Sequence, residues 1–389
     1  MSVVAPRGFA AAGAHLGIKS SGAPDCAVVA CTADTPANAA AVFTSNLAAA
    51  APVIVSRAHL AATGGRVRAV VLTSGNANAA TGKPGRRRAE GLCATVAGSL
   101  GASSDEVLVA QTGLIGVPFE FERCDPGLRD VCGALGASTQ HGDDAALAIM
   151  TTDTRPKTFS WTNGSFTVGA MAKGVAMLAP TMATMLAVLT TDAACEPGVL
   201  AGLLHAAVAP TFNSVHVDGD TSTNDTVVVL ASGSAGHVDP DLLGSVLSDA
   251  CASLAHEMVA DAEGATKLAT VSVYGARSDH EAHVAARAVA GSLLVKCSLN
   301  GADPYWGRVV SSLGAAGVGF DMDRVAVGYG GTVVCAQGVG VDHDATAVVA
   351  HLSGREVSIE CDLGLGDGVG AVLCCDLGEG YLAENRTTS

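Results

Sequence analysis

One long apolar stretch, residues 170–193 (AMAKGVAMLAPTMATMLAVLTTDA), carries side chains that could do chemistry. Lys173 is its single charge before Asp192, and one of its hydroxyls belongs to Thr184. A threonine inside a chain has no base of its own. If the Ala183–Thr184 bond is cut, the new α-amino group ionises near neutral pH and can take the proton of the threonine hydroxyl. The stretch therefore contains the parts of an N-terminal nucleophile, and the same hydroxyl could make the cut by an N-to-O acyl shift.

The backbone around Thr184 is expected to form two strands joined by a turn. Apolar residues alternate over 165–171, and 185–189 is a compact apolar run suited to a buried strand. Pro180 lies between them and, with the threonine hydroxyls, argues against a helix or a membrane span. A threonine at the start of a buried strand can also be purely structural, so this pattern alone leaves both interpretations open.

Strand and helix patterns alternate along the rest of the chain, which predicts a mixed α and β fold. The predicted strands are 67–73, 107–110, 226–231, 269–274, 324–327 and 357–361. The predicted helices are 197–208, 239–258 and 281–294, the second beginning with a cap-like Asp239 and Pro240. No internal repeat is visible, and no linker composition surrounds Met185.

Composition excludes several classes of partner. The 389 residues suffice for more than one domain core, and 22 basic against 37 acidic residues give a net charge of −15, which argues against nucleic acid. The one basic run, 83–88, is expected to be a solvated loop or helix start. Twelve cysteines without a CxxC pair, and an N-terminus without a signal-peptide layout, indicate a reduced cytoplasmic protein that does not bind membranes.

Common cofactor and metal motifs are absent from the sequence. The glycine-rich run 364–370 has Val369 where a dinucleotide-binding motif needs its third glycine, and no phosphate-binding P-loop occurs. The oxygen-rich segment 216–225 lacks the glycine and glutamate of an EF-hand. His280 and His283 lie three residues apart on a predicted helix, and we interpret them as part of a solvated face. We therefore expect no cofactor and no bound metal.

The sequence resembles the bifunctional glutamate N-acetyltransferase/ornithine acetyltransferase family of arginine biosynthesis. The family signature K-G-x-x-M-x-A-P-x-[ML]-A-T-M-L is matched over 173–186. Further blocks match in order along nearly the whole chain: 8–9, 17–19, 41–44, 74–78, 112–116, 149–154, 218–226, 261–267 and 303–308. The resemblance implies layered sheets between helices, related to N-terminal-nucleophile enzymes. It also implies self-cleavage into chains 1–183 and 184–389.

The resemblance also assigns roles to individual residues. Thr184 would take the acetyl group of N-acetylornithine and pass it to glutamate in a ping-pong exchange. Thr112 and Gly113 would form the oxyanion hole, in a tight turn after the strand 107–110. The residues that would contact substrate, besides Thr184, are Thr151, Lys173, Glu263, Asn385 and Ser389. Lys173 suits a carboxylate and Glu263 an ammonium group.

The sequence departs from the family pattern in its C-terminal tail and at two single positions. The tail Glu384-Asn385-Arg386-Thr387-Thr388-Ser389 is one residue shorter than usual and lacks a tyrosine, so Thr388 could replace Ser389. Tyr305 stands where the D-P-N-W-G-R block has asparagine, and Thr181 stands where asparagine is common before the cleavage site. None of these changes removes the nucleophile.

The same residues are also consistent with other functions. Water in place of glutamate would make the protein an N-terminal-nucleophile aminopeptidase or amidase, and a related acyl donor would make it a specialised-pathway acyltransferase. A non-catalytic scaffold would keep the fold without cleavage. Some members of the family also acetylate glutamate from acetyl-CoA, and no residue here decides that activity. The family assembles as two copies of each cleaved chain.

Overall fold

The computed structural model describes residues 2–178 and 185–386, which form two compact units. Unit 1 holds the described residues of Met1–Asn213 and Asp220–Met258, and unit 2 those of Ser214–Gly219 and Val259–Thr388. The expected cleavage at Ala183–Thr184 falls in the sequence range of unit 1 but outside the described residues. The expected chains 1–183 and 184–389 are products of chemistry rather than compact units, and they stay a prediction.

Strands and helices alternate through the described residues. The strands are β1 (Phe9–Ala14), β2 (Cys26–Cys31), β3 (Ala37–Phe43), β4 (Arg66–Val67), β5 (Ala69–Asn76), β6 (Val107–Leu114), β7 (Lys157–Thr162), β8 (Thr167–Lys173), β9 (Leu186–Ala194), β10 (Val215–His216), β11 (Thr226–His237), β12 (Leu268–Ala276), β13 (Ala326–Tyr329), β14 (Thr332–Ala336), β15 (Val339–Gly340), β16 (Glu356–Asp362) and β17 (Gly368–Cys375). The helices are α1 (Ala51–Ala62), α2 (Gly82–Leu100), α3 (Phe121–Gly133), α4 (Thr139–Ala148), α5 (Pro197–Val208), α6 (Pro240–Ala260), α7 (Asp279–Ala290), α8 (Leu293–Asn300), α9 (Gly307–Gly314), α10 (Ala345–Ser353) and α11 (Glu379–Glu384).

Unit 1 layers two sheets and their helices. One sheet has the order β1-β2-β5-β6 and the other β4-β3-β11-β9-β8-β7. Both faces of the first sheet are buried, because successive strand residues point to opposite sides. Along β2, Cys26 and Val28 pack with residues of α1, α2 and α3, whereas Ala27 and Val29 pack with α4 and with β8, β9 and β11 of the second sheet. The expected mixed fold with layered sheets is confirmed.

The strand that follows Thr184 in the sequence, β9, is an inner strand of the second sheet. Leu186, the first residue of β9, pairs with Lys173 at the end of β8 in antiparallel register. On its other side Leu186 pairs with Thr226 at the start of β11 in parallel register. The buried start of β9 therefore lies between the last residue of one strand and the first residue of another, and polar groups at those two ends converge there.

Unit 2 is built on the sheet β10-β17-β12-β16-β13-β14-β15. Val271 and Val273 of β12 and Ile359 of β16 share a core with the alanine-rich face of α7, including Ala282 and Ala286. A small residue on the sheet lets α7 come close: a Cβ at Gly370 of β17 would come within 2.5 Å of a backbone nitrogen of α7. The high alanine and glycine content thus serves close helix-to-sheet packing.

Most predicted elements are confirmed, and two predictions are wrong. The helix 197–208 has the predicted bounds, and the helix after Asp239 extends to Ala260. The single predicted helix 281–294 is two helices, because α7 stops before Gly291 and Ser292 caps α8 by accepting the N–H of Val295. Residues 112–113 continue β6 instead of forming a turn after it.

The cysteines are free thiols, and ten of the twelve are buried; Cys195 is partly exposed and Cys297 exposed. Burial raises the pKa of Cys251 to about 12, so that thiol stays protonated at neutral pH. Among the described helices none is by itself long and apolar enough to cross a bilayer, while the bent pair α7 and α8 meets that length and composition only when taken together.

Candidate active site

A buried carboxylate organises the loop that precedes β7. Asp153 Oδ1 lies 2.7 Å from Lys157 Nζ and accepts the N–H of Gly174 at 2.9 Å. Its other oxygen accepts the N–H of Thr151 at 3.1 Å and lies 3.7 Å from Lys173 Nζ. Burial by itself would raise the pKa of Asp153, but the charges of Lys173 and Lys157 outweigh it and lower the pKa to about 2. The carboxylate is therefore ionised at all physiological pH values.

Two residues assigned to substrate binding meet beside this carboxylate. Lys173 Nζ donates a hydrogen bond to Thr151 Oγ1 at 2.7 Å, and Lys173 is only 2% exposed. Because Asp153 holds the N–H of Thr151 and attracts the ammonium group of Lys173, it fixes both at the end of β8. The structure thus brings Thr151 and Lys173 together, and their role in binding substrate stays a prediction.

The expected oxyanion pair lies at the end of β6. Thr112 is 2% exposed, and Thr112 and Gly113 pair with Ser74 and Gly75 of the parallel strand β5. Gly113 has φ of 127°, and a Cβ there would come within 2.3 Å of a backbone carbon of Gly75. Only glycine fits that conformation and that contact. Gly113 therefore keeps its place in β6 with a φ unlike that of a regular strand, at the position whose N–H the expected oxyanion hole would use.

A network of buried amide side chains forms hydrogen bonds with β6 and its neighbours. Asn224 Nδ2 donates to the carbonyl oxygen of Gln111 at 2.8 Å and to that of Ala77 at 2.6 Å. The Gln111 side chain donates to Thr73 Oγ1 and accepts from Asn78. The Gln111 carbonyl belongs to the peptide group whose N–H is that of Thr112. Asn224 therefore fixes the orientation of the strand that carries the expected oxyanion pair.

Removing this amide is expected to destabilise unit 1. Asn224→Ala leaves two buried carbonyls without their donor, at about 1–3 kcal/mol for each unsatisfied group. We expect the melting temperature to fall by about 5–10 °C in a thermal denaturation followed by circular dichroism. The matched control is Asn38→Ala, since Asn38 also donates to a carbonyl, that of Cys195 at 2.8 Å, but is only half-buried. Equal shifts in the two variants would contradict the role of the network.

The residue after Asn224 contacts the backbone next to Thr184. Asp225 is fully buried, and its Oδ1 accepts the N–H of Met185 at 2.9 Å. No hydrogen-bond partner of its Oδ2 is found among the described residues. Burial raises the pKa of Asp225 well above its usual range, against the opposing effects of the Met185 N–H, the Ser222 side chain and the charge of Lys173.

In unit 2, the two remaining described site residues also meet. Asn385 Nδ2 donates to Glu263 Oε2 at 2.8 Å and to the carbonyl oxygen of Tyr381 at 3.0 Å. Tyr381 lies on α11, and its hydroxyl donates to Asp218 at 3.4 Å. The short final helix thus places Asn385 against Glu263, two residues that are 122 positions apart in sequence.

Several predicted residues lie outside the described part of the chain. These are the cleavage residues Ala183 and Thr184, and Ser389 with its alternative Thr388. The sequence did not single out Asp153, Asn224 or Asp225, although all three stand within matched family blocks. The sequence did contain an indication of these three residues, because an acidic or amide side chain next to a predicted buried strand needs a hydrogen-bond partner.

Surface cavities flank the end of β6. One of about 160 Å³ is lined by Ile18, Asn76, Leu114 and Arg123, among others, and one of about 280 Å³ by Arg86, Ile115 and Thr223, among others. Neither of these cavities, nor a further one of about 290 Å³, has a predicted site residue in its lining. Among the described residues no cluster of metal-binding side chains is present.

Known proteins resemble this chain over its whole length. A family model described as the ArgJ family matches residues 10–387. A protein of Mycolicibacterium paratuberculosis named arginine biosynthesis bifunctional protein ArgJ is 45% identical over 395 residues, covering 100% of this chain and 96% of that protein. A protein of the same name from Streptomyces coelicolor is 44% identical, covering 100% of both. The solved structure of ornithine acetyltransferase complexed with ornithine, from Mycobacterium tuberculosis, is 40% identical over 48% of this chain and 96% of that chain, with a TM-score of 0.43.

Proposed function

This chain belongs to the ArgJ family, and from that premise we propose that it transfers an acetyl group from N-acetylornithine to glutamate in arginine biosynthesis. The products are ornithine and N-acetylglutamate. One contact in the structure supports the proposal, the hydrogen bond from the buried ammonium group of Lys173 to Thr151 Oγ1. Lys173 is the last residue of β8, the strand that pairs with the start of β9. A buried cation beside a neutral hydroxyl suits an α-amino acid whose carboxylate must be held while its amide reacts.

The nucleophile is Thr184, freed by cleavage after Ala183. Its α-amino group takes the proton of the threonine hydroxyl while the oxygen attacks the acetyl carbonyl carbon of N-acetylornithine. The carbonyl oxygen becomes anionic, and Thr112 and Gly113 stabilise it at the end of β6. The C–N bond then breaks, the departing nitrogen of ornithine receives the proton, and an acetyl ester remains on Thr184.

Glutamate completes the ping-pong cycle. Its neutral amine attacks the acetyl ester and gives up one proton to the α-amino group of Thr184, while the same oxyanion donors act again. The threonine oxygen then leaves with that proton, and N-acetylglutamate is released. Donor and acceptor are both α-amino acids, so one set of contacts serves them in turn. We assign the carboxylate contact to Lys173 and Thr151, and the contact with an ammonium group to Glu263, with Asn385 and Ser389 in supporting roles.

The transfer requires neither a cofactor nor a metal. Acetyl-CoA is a second donor for glutamate in this proposal, in keeping with the bifunctional name of the relatives. We further propose a cytoplasmic enzyme of two N-terminal and two C-terminal chains, with no nucleic-acid or membrane partner. The net charge of −15 is consistent with the first of these exclusions.

Mass spectrometry of the purified protein tests the nucleophile and the cleavage together. Incubation with N-acetylornithine, without glutamate, is expected to add one acetyl group to a C-terminal fragment that begins at Thr184. Ornithine, which carries no acetyl group, is the matched control ligand and is expected to add nothing. An acetyl group on any other residue, or none on a cleaved protein, would refute the mechanism.

A hydrolase is the second candidate, since an acetyl ester on threonine can also react with water. Measuring N-acetylglutamate and free acetate in the same reaction separates the two. Transfer predicts that added glutamate converts nearly all released acetyl groups to N-acetylglutamate. Acetate release that glutamate does not suppress would identify an amidase. Other acyl-amino acids as donors would reveal a specialised-pathway acyltransferase.

A further inference from the structure

Asp376 is a buried carboxylate of unit 2 that accepts four hydrogen bonds from described residues. Its Oδ1 accepts the N–H groups of Thr266 and Lys267, both at 2.8 Å. Its Oδ2 accepts the Thr266 hydroxyl at 2.6 Å and the side-chain amide of Asn300 at 2.7 Å. Asp376 is 4% exposed, and two donors on each oxygen use the acceptor capacity of a carboxylate. The side chain therefore fixes the backbone just after Glu263.

The segment that follows Glu263 packs against the start of α11. Gly264 has φ of 65°, and a Cβ there would come within 2.2 Å of the backbone nitrogen of Tyr381. A Cβ at Gly380 would in turn come within 2.8 Å of the Cα atom of Gly264. The two glycines allow the two backbones to approach this closely. The contact places Glu263 beside the helix that ends directly before Asn385.

Asn300 connects the same carboxylate to the residue before α11. Besides its hydrogen bond to Asp376, the Nδ2 atom of Asn300 lies where a Cβ at Gly378 would come within 2.6 Å of it. Asp376 thus holds the segment after Glu263 directly and the entry to α11 through Asn300. The hydrogen bond from Asn385 Nδ2 to Glu263 Oε2, at 2.8 Å, joins the far ends of these two parts.

We propose that Asp376 is a positioning residue for Glu263 and thereby sets the preference for a donor with a cationic side chain. This inference rests on the proposed function, in which Glu263 receives an ammonium group. N-acetylornithine has one ammonium group, at the end of its side chain, because its α-nitrogen is acylated. A charge-assisted hydrogen bond to that group depends on where the Glu263 carboxylate lies, and a misplacement of about 1 Å can reduce a rate about 100-fold. Asp376 acts through the segment that carries Glu263 and takes no part in the chemistry.

N-acetylnorvaline is the probe for this preference, because it has the carbon chain of N-acetylornithine without the terminal amine. The ratio of kcat/KM for N-acetylornithine to that for N-acetylnorvaline, with glutamate as acceptor, measures the preference. We expect Asp376→Asn to lower this ratio about tenfold, since the amide keeps the size of the side chain but replaces one acceptor oxygen by a donor. The loss is expected as a higher KM for N-acetylornithine, with kcat changed less than about threefold, because the ammonium contact exists both before and during the reaction.

Thr266→Val tests the same contact without changing the buried carboxylate. Thr266 is exposed, and valine matches its shape, so we expect this variant to fold and to lose only the hydroxyl that donates to Asp376. The ratio is expected to fall about threefold. A ratio at the wild-type value in both variants would overturn the proposal. Equal losses of kcat/KM with the two donors in Asp376→Asn would overturn it too, since a purely structural role affects both donors alike.

Asp344→Ala is the control for loss of stability in the same unit. Asp344 caps α10 by accepting the N–H of Ala347 at 3.0 Å and lies outside the Glu263 segment. We expect a lower melting temperature and an unchanged ratio, and a fall in the ratio as large as that of Asp376→Asn would contradict the proposal. A wild type that uses both donors equally well would remove the ammonium contact and overturn this inference alone. A wild type that transfers an acetyl group from neither donor would instead overturn the proposed function.

Discussion

Thr184→Ala is expected to leave the chain in one piece and without acetyl transfer. The substitution removes the oxygen that we propose attacks the Ala183 carbonyl and, later, the acetyl carbonyl of the donor. A denaturing gel should show one full-length band where the wild type shows fragments of residues 1–183 and 184–389. Transfer should fall by more than about 10⁴-fold, since neither the nucleophile nor its free amine exists.

Thr184→Ser is the matched control, because serine keeps the hydroxyl group and loses only the methyl group. We expect two fragments again, formed more slowly, and measurable transfer. Cleavage of Thr184→Ala at the same position would show that another group, or another protein, cuts the chain. An uncleaved wild type that still transfers acetyl groups would leave the threonine without its base and refute the mechanism.

Local sequence patterns predict elements well where local chemistry decides them. The helix beginning at Pro197 is confirmed at both ends, and Asp239 accepts the N–H of Asp241 at the start of α6 as its type suggests. The prediction of a single helix over 281–294 is also wrong for a local reason. Apolar periodicity continues through Gly291, so periodicity alone joins two helices that a glycine and the Ser292 cap separate.

Local sequence patterns predict the site less well, because its contacts join residues that are far apart in the sequence. Thr151 and Lys173 are 22 residues apart, and Asn224 and Gln111 are 113 residues apart. A single sequence shows that a buried polar side chain needs a partner but not which one. The family resemblance supplied Thr151 and Lys173 as separate binding residues. It did not show that Asp153 connects them or that Asn224 and Asp225 link β6 to the start of β9.

The strand geometry also corrects a specific expectation about the oxyanion hole. Val107–Ala110 followed by Gln-Thr-Gly is typical of a strand that ends in a turn. The strand instead continues through Leu114, because Thr112 and Gly113 keep their parallel partners Ser74 and Gly75. Pairing between distant strands overrides a local turn signal, and the positive φ of Gly113 is accommodated inside the sheet.

Replacing Asp153 by alanine is expected to cause the largest loss of stability among single changes near the site. The side chains of Lys157 and Asp153 are both 0% exposed, and removing the acid leaves a buried ammonium group without its carboxylate. Breaking a buried pair in this way costs about 3–5 kcal/mol. The N–H groups of Thr151 and Gly174 also lose their acceptor. We expect the melting temperature to fall by about 10 °C, measured by calorimetry at pH 7.

Glu257→Ala is the control for this effect, because Glu257 forms an equally short ion pair with Arg155 at 2.8 Å on the surface. Those side chains are 41% and 45% exposed, and an exposed pair contributes about 0–1 kcal/mol. A fall of similar size in both variants would show that the buried carboxylate of Asp153 has no special structural role. A large fall in Asp153→Ala alone would support it.

The pH dependence of the Asp153 contribution follows from its lowered pKa. The folded protein holds this carboxyl group at a pKa of about 2, below the value of 3.8 taken for an unperturbed aspartate. The stabilisation is therefore complete above about pH 4 and is lost as the pH falls toward 2, where the folded form takes up the proton. We expect the difference in melting temperature between the wild type and Asp153→Asn to be constant from pH 7 to 5 and to narrow below pH 4. A difference that widened on acidification would mean that Asp153 is protonated in the folded protein, and that Lys173 and Lys157 do not hold it as an anion.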